Sequence, residues 1–236
     1  MDALFDMDAF GVLGILEHIG IFAFAMSGTV TAIEKRMDLF GIYVLSFITA
    51  MGGGVLRDVV LGVGVPAFFS SYSAIYNILI ATTLAILLKG SIGKGGLIIL
   101  CDAVGLAAFV SDAGVKAITT GANLPLFLFT SVITGVGGGV LRDIMCQRVP
   151  LILRKEVYAS AGIVGALVLW FSYPVVGGDV ARLLSLGLIF SIRMASVRAR
   201  AGLPVVQAGR SMSPYVAQES KSEDTTGAAV DKENHL

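Results

Sequence analysis

Charge is what this sequence has least of. Only 14% of its 236 residues are Asp, Glu, Lys or Arg, against roughly a quarter in ordinary soluble domains. The 17 basic and 17 acidic residues cancel to a net charge of zero, so no basic surface argues for nucleic acid as a partner. Cysteine is nearly absent: Cys101 and Cys146 stand far apart in apolar runs, which excludes a disulfide scaffold and a Cys-based metal site and leaves small buried hydrophobes. The first ten residues carry Asp2, Asp6 and Asp8 but no basic cluster, so no cleaved signal peptide is expected. Enzyme chemistry is poorly supplied. No zinc-ligand spacing or Ser-His-Asp set stands out, and the triple glycines lack the Gly-Lys-Ser/Thr ending of a phosphate loop. The expectation is a non-enzyme without a resident cofactor.

What fills the chain instead is apolar sequence, 56% of all residues. Runs of about 20 such residues recur, each long enough for a bilayer core of roughly 30 Å. Seven spans follow: Phe10–Ile33, Leu39–Leu61, Tyr72–Leu88, Leu97–Lys116, Leu124–Cys146, Val157–Tyr173 and Val180–Val197. The links between them are short, so the spans pack as a bundle in the lipid bilayer, an all-α membrane protein. Residues 1–200 make the transmembrane domain, and 201–236 turn polar, a disordered tail by composition. Lys35, Arg36, Lys89, Lys94, Arg148, Arg154, Lys155, Arg193, Arg198, Arg200 and Arg210 fall on one side, and little more than Arg182 on the other. The positive-inside rule then sets the N-terminus outside and the C-terminus in the cytoplasm.

A shift of about 85 residues aligns Ile15–Val60 with Leu100–Met145 without a gap, with roughly a third of the pairs identical. Gly20, Phe24 and Leu39 meet Gly105, Phe109 and Leu124, while Tyr76 and Tyr158 match loosely further on. Each copy holds three spans, so repeat one covers about 10–88 and repeat two about 97–173, with the seventh helix, about 180–197, outside. An odd number of spans makes the second copy enter from the opposite face, an inverted repeat.

The longest shared phrase is Gly-Gly-Gly-Val-Leu-Arg-Asp, at Gly52, Gly53, Gly54, Arg57 and Asp58 and again at Gly137, Gly138, Gly139, Arg142 and Asp143. Three glycines cost a helix about 2–3 kcal/mol relative to alanine and fall near the membrane midplane, so a kink or unwound turn is expected there; close helix packing is the other use of small residues. Ser46, Thr49, Gly53 and Arg57 share one helix face, as do Ser131, Thr134, Gly138 and Arg142. Those hydroxyls, with the glycine carbonyls, are candidates to line a water-filled path.

A buried arginine needs a partner. The inverted topology brings Glu17 to the half that holds Arg57 and Asp102 to the half that holds Arg142, with Asp58 and Asp143 as the alternative partners. Asp112 and Lys116 form an acid-then-base pair at i, i+4; their repeat counterparts are the uncharged Ser27 and Thr31. Lys116 is a candidate gate or, equally, a lysine reaching for the interface. His18 is expected to be a packed, hydrogen-bonded residue.

Two inverted three-helix units with this doubled phrase, plus one extra helix, resemble the prokaryotic trimeric intracellular cation (TRIC) channels, a family also labelled a glycine transporter domain. The resemblance covers Phe10 to Val197. It implies a homotrimer in the plasma (inner) membrane of a bacterium or archaeon, with a pore in each protomer between the glycine-kinked second and fifth helices, passing potassium and sodium. It also implies Lys116 as the voltage-gating lysine. The alternative is a secondary transporter of glycine or another small zwitterion, which would use broken helices at a repeat interface as its binding site.

Overall fold

The computed structural model describes residues 12–70, 72–88, 94–153 and 157–199. The tail from 201, the acidic first residues and the basic residues Lys89, Arg154, Lys155, Arg200 and Arg210 lie outside them. The described residues form seven α-helices and no strand: α1 (Val12–Glu34), α2 (Leu39–Leu61), α3 (Tyr72–Leu87), α4 (Lys94–Thr119), α5 (Leu124–Met145), α6 (Ala159–Val176) and α7 (Gly178–Ala199). Six are long and apolar enough to cross a membrane, and α3, with 16 residues, is shorter. At 1.5 Å per residue α3 reaches about 24 Å, less than a full bilayer core.

Local sequence sets the helix ends. Asp38 caps α2 by accepting from the Gly41 N–H at 2.7 Å, and Asn123 caps α5 through the Leu126 N–H at 3.1 Å. These caps are repeat equivalents, so both middle helices start in the same way. Gly62 closes α2 in the left-handed region, φ 66°, a conformation glycine adopts without steric cost. α6 continues two residues past Pro174 to Val176, beyond the expected end at Tyr173. A membrane helix tolerates the single backbone bond lost there.

The repeat organises the packing. α1 lies against α4 and α2 against α5, each helix beside its own symmetry mate, while α7 packs on α4 and α6. Phe24 and Phe109, equivalent positions, stack at 5.4 Å between ring centroids, only 16° from parallel. The third helices depart from the pattern: Tyr76 is exposed and Tyr158 buried. Cys101 and Cys146 are free thiols and buried.

Candidate functional site

The two glycine phrases meet where α2 crosses α5. A Cβ on Gly53 would collide with the carbonyl oxygen of Thr134, and one on Gly138 with the carbonyl oxygen of Thr49. The Cα atoms of Gly53 and Gly138 lie 3.4 and 3.8 Å from the Cβ positions of Gly137 and Gly52. Only residues without a side chain allow two backbones this close. As numbers rise along α2 the contacts fall along α5, so the helices are antiparallel, and Arg57 and Arg142 point to opposite ends of the bundle.

This geometry bears on two expectations. Both helices run unbroken through their glycines; there is no unwound turn. In lipid a freed carbonyl needs a substitute partner, and keeping the helical bonds while gaining a backbone-close crossing satisfies both demands. The four hydroxyls are enclosed in this packing. Ser46, Thr49, Ser131 and Thr134 are fully buried. Thr49, Ser131 and Thr134 donate to carbonyls four residues back in their own helices, at 2.6 to 2.7 Å. Ser46 donates to the Ala25 carbonyl of α1 and also meets Thr82 of α3.

Beyond the crossing, each Arg-Asp pair anchors a cluster. At one end Arg57 donates through Nε to Asp58 at 2.8 Å and through Nη1 to Asp112 at 2.8 Å, with Glu17 farther away at 3.8 Å. Lys116 Nζ reaches Asp58 Oδ1 at 2.8 Å. At the other end Arg142 donates to Asp102 at 2.6 Å and to Asp143 at 2.9 Å. It also contacts Ser27, whose hydroxyl donates to Asp102 at 2.7 Å. Both arginines, Asp102 and the two motif aspartates are at most 5% exposed.

Both arginines therefore hold their motif aspartate and a carboxylate of α4, Asp112 for Arg57 from the opposite repeat and Asp102 for Arg142 from its own. The expected pair of Asp112 with Lys116 does not close on itself. The acid goes to Arg57 and the lysine to Asp58, because a buried guanidinium and a buried carboxylate, having lost water, offer each of them the stronger attraction. Position 112 and its equivalent Ser27 thus do the same job, contacting the arginine across the bundle, once with charge and once without. Comparing the repeats exposed that pair of positions, but the i, i+4 rule assigned Asp112 to the wrong partner.

A second shared device escaped the sequence reading. Asp58 Oδ2 accepts from the Ala67 N–H at 2.9 Å and Asp143 Oδ2 from the Leu151 N–H at 3.1 Å. Those N–H groups open short 3-10 turns, Ala67–Ser70 and Leu151–Leu153. The signal was available: a Val-Pro dipeptide, Val65-Pro66 and Val149-Pro150, precedes each turn, just beyond the gapless block. So each motif aspartate ties its arginine to the loop that follows its helix.

A pocket of about 60 Å³ opens beside Arg57, lined by Glu17, Met51, Gly54, Arg57, Asp58 and Phe109 among others. Glu17 is the accessible acid there, its side chain 36% exposed. His18 lies at the pocket's edge with Nδ1 donating to the Gly14 carbonyl and Nε2 meeting Ser73. Among the described residues no cluster of His, Cys, Asp and Glu is placed to hold a metal. Arg182 and Arg193, counted from sequence among the loop charges, are instead fully buried on α7.

The arrangement defines a multi-pass helical membrane protein whose two inverted halves each carry an Arg-Asp cluster beside a shared glycine crossing. A family model described as a glycine transporter matches twice, over residues 14–89 and 99–174, once per repeat. The UPF0126 membrane protein YvgT of Bacillus subtilis (strain 168) is 37% identical over 158 residues, 65% of this chain and 77% of the relative. The UPF0126 inner membrane protein YadS of Escherichia coli (strain K12) is 36% identical over 197 residues, 80% of this chain and 93% of the relative. Among solved structures, a TRIC cation channel studied for its conductance matches with a TM-score of 0.76 at 33% identity, covering 84% of this chain and 98% of that one. The TRIC trimeric intracellular cation channel orthologue from Rhodobacter sphaeroides matches with a TM-score of 0.73 at 27% identity, covering 80% and 98%. The chain belongs to the TRIC/UPF0126 family. These solved relatives are membrane ion channels rather than enzymes.

Proposed function

We propose that this protein is a cation channel for potassium and sodium, a homotrimer with one conduction path in each protomer. The path runs between α2 and α5, with the glycine crossing as its closed constriction. The observation that carries this reading is the crossing itself: two antiparallel helices meet backbone to backbone, and a matched charged cluster stands on each side. The solved relatives that share the fold at 27 to 33% identity are described as cation channels. Opening requires α2 and α5 to separate by roughly the width of a dehydrated ion, which would bring the hydroxyls of Ser46, Thr49, Ser131 and Thr134 beside the path.

The bonds from Asp112 to Arg57 and from Lys116 to Asp58 hold α4 on α2. A lysine charge moving through the membrane field responds by about 2.3 kcal/mol per 100 mV, so Lys116 would couple voltage to the α2 position. The reading places the chain in the plasma membrane, N-terminus outside and C-terminus inside. Lys35, Arg36 and Arg148 cluster at the Arg142 end, where Arg148 pairs with Glu34 at 3.2 Å, and the positive-inside rule makes that end cytoplasmic.

Potassium efflux from proteoliposomes tests the reading. Purified protein is expected to release trapped potassium when a potential drives it. Saturable, concentrative glycine uptake without cation leak would replace the channel by the transporter.

A further inference from the structure

The two charged clusters are built alike, yet their surroundings are unequal. The pocket beside Arg57 is lined by Glu17, Met51, Gly54 and Ala74 among others, and a Cβ added to Gly54 would meet nothing within 4 Å. In repeat two the equivalents of the first three are Asp102, Val136 and Gly139, all of them buried. A Cβ on Gly139 would lie 3.6 Å from the Tyr158 hydroxyl oxygen and 3.8 Å from Arg142 Nη2. The space that is open over Gly54 is therefore taken, over Gly139, by the phenol of Tyr158. That space begins one residue past the glycine crossing at Gly138.

Burial along the third helices shows what stands in the place of Tyr158 in repeat one. The buried positions of α3 are Ala74, Ile78, Ala81, Thr82 and Ala85. A shift of 84 residues carries them onto Tyr158, Gly162, Gly165, Ala166 and Leu169, all buried in turn, with Ala161 in addition. The dipeptides Val65-Pro66 and Val149-Pro150 keep the same shift. Tyr158 thus corresponds to Ala74, a lining residue of the open pocket, and the looser match with Tyr76 gives way to this one. One side of the crossing has a methyl group where the other has a phenol.

The ring is held by packing. The Arg193 guanidinium of α7 lies over it, 4.9 Å from its centroid, and Leu106 and Val136 belong to the same apolar cluster. Its hydroxyl has no hydrogen-bond partner among the described residues, although a buried phenol normally finds one. The side chain can therefore leave this space without breaking a hydrogen bond of its own, and water would give the hydroxyl the partner it lacks.

We propose that Tyr158 is the plug of the Arg142-side mouth of the conduction path, and that Ala74 leaves the Arg57-side mouth preformed. An ion that passes the glycine crossing toward Arg142 meets the phenol next, and conduction requires the ring to swing out of the space over Gly139. This inference rests on the channel reading above and adds to it a residue outside both the glycine and the Arg-Asp motifs.

Thiol accessibility tests the plug independently of current. Purified G54C, G139C, G139C/Y158F and G139C/Y158A are treated in detergent with methyl methanethiosulfonate, and modification is followed by mass spectrometry. Cys101 and Cys146 are buried and give little background. G54C is expected to react about tenfold faster than G139C, and Y158A to raise the G139C rate by about tenfold, because access limits the reaction of a thiol. Y158F keeps the ring and is expected to keep G139C protected. Where the cavity left by Y158A prevents assembly, G139C/Y158L makes the same test with a smaller one. A G139C thiol that reacts as fast as G54C, or that stays protected once the ring is gone, overturns the inference. Recording in planar bilayers then links the plug to conduction. Y158A is expected to raise the open probability of unitary potassium currents several-fold, and an unchanged open probability overturns the plug. Silence in both wild type and Y158A overturns the channel reading instead, while the thiol rates still decide whether Tyr158 closes the space over Gly139.

Discussion

Arg142 is 1% exposed and carries three partners at once, Asp102, Asp143 and Ser27. A buried ion pair is weak evidence of net stability, but removing one partner strands the other. R142M is therefore expected to destabilise the folded protein by about 3–5 kcal/mol, read as a lower midpoint in thermal unfolding in detergent. R142M/D102L should recover a substantial part of that loss. Equal loss in both variants would mean that the arginine, and not the stranded acid, carries the effect. At this scale the sequence was partly legible. Inverted topology alone brought Glu17 to Arg57 and Asp102 to Arg142. It said nothing of distance, and the first pair proves long at 3.8 Å while the second is tight at 2.6 Å. Asp112 was misassigned because a local spacing rule holds for solvated helix surfaces, and this acid is buried, where the nearest unhydrated guanidinium wins.

At the scale of the element, the glycine phrase is a packing device within each helix rather than a break in it. Propensity argues for a break, but in a membrane tertiary contact and the demand for satisfied backbone groups decide. The three glycines are not equivalent. A Cβ on Gly53 would meet the Thr134 backbone, whereas one on Gly54 meets nothing within 4 Å. G53A is expected to force α2 from α5 and to cost several kcal/mol of stability. G54A gains helix propensity of about 0.5–1 kcal/mol and is expected to unfold at or above the wild-type temperature. Equal effects of the two substitutions would contradict the crossing. Both phrases were plain in the sequence; which glycine faces the partner was not, because the register of two packed helices depends on both surfaces.

For the whole molecule, the repeat gave the architecture, and the loop charges give an expected orientation. The inversion of the two halves followed from an odd span count per copy; the packing of α1 on α4 came only with the structure. The burial of Arg182 and Arg193 on α7 did not follow, since nothing repeats that helix and its arginines looked like loop charges. Orientation can be measured directly, because Cys101 and Cys146 are buried and give little background. In intact cells V65C, in the exposed loop after α2, is expected to react with a membrane-impermeant maleimide, and R36C, in the loop after α1, only after permeabilisation. The opposite pattern would invert the membrane placement and with it the assignment of outer and inner clusters.

On the proposed function, ions pass between α2 and α5 through each protomer. The most direct measurement is the reversal potential of unitary currents from purified protein in a planar bilayer with potassium on one side in excess. Discrete currents reversing near the potassium equilibrium potential are expected. A bilayer that stays silent, or currents that reverse at the chloride potential, would contradict it.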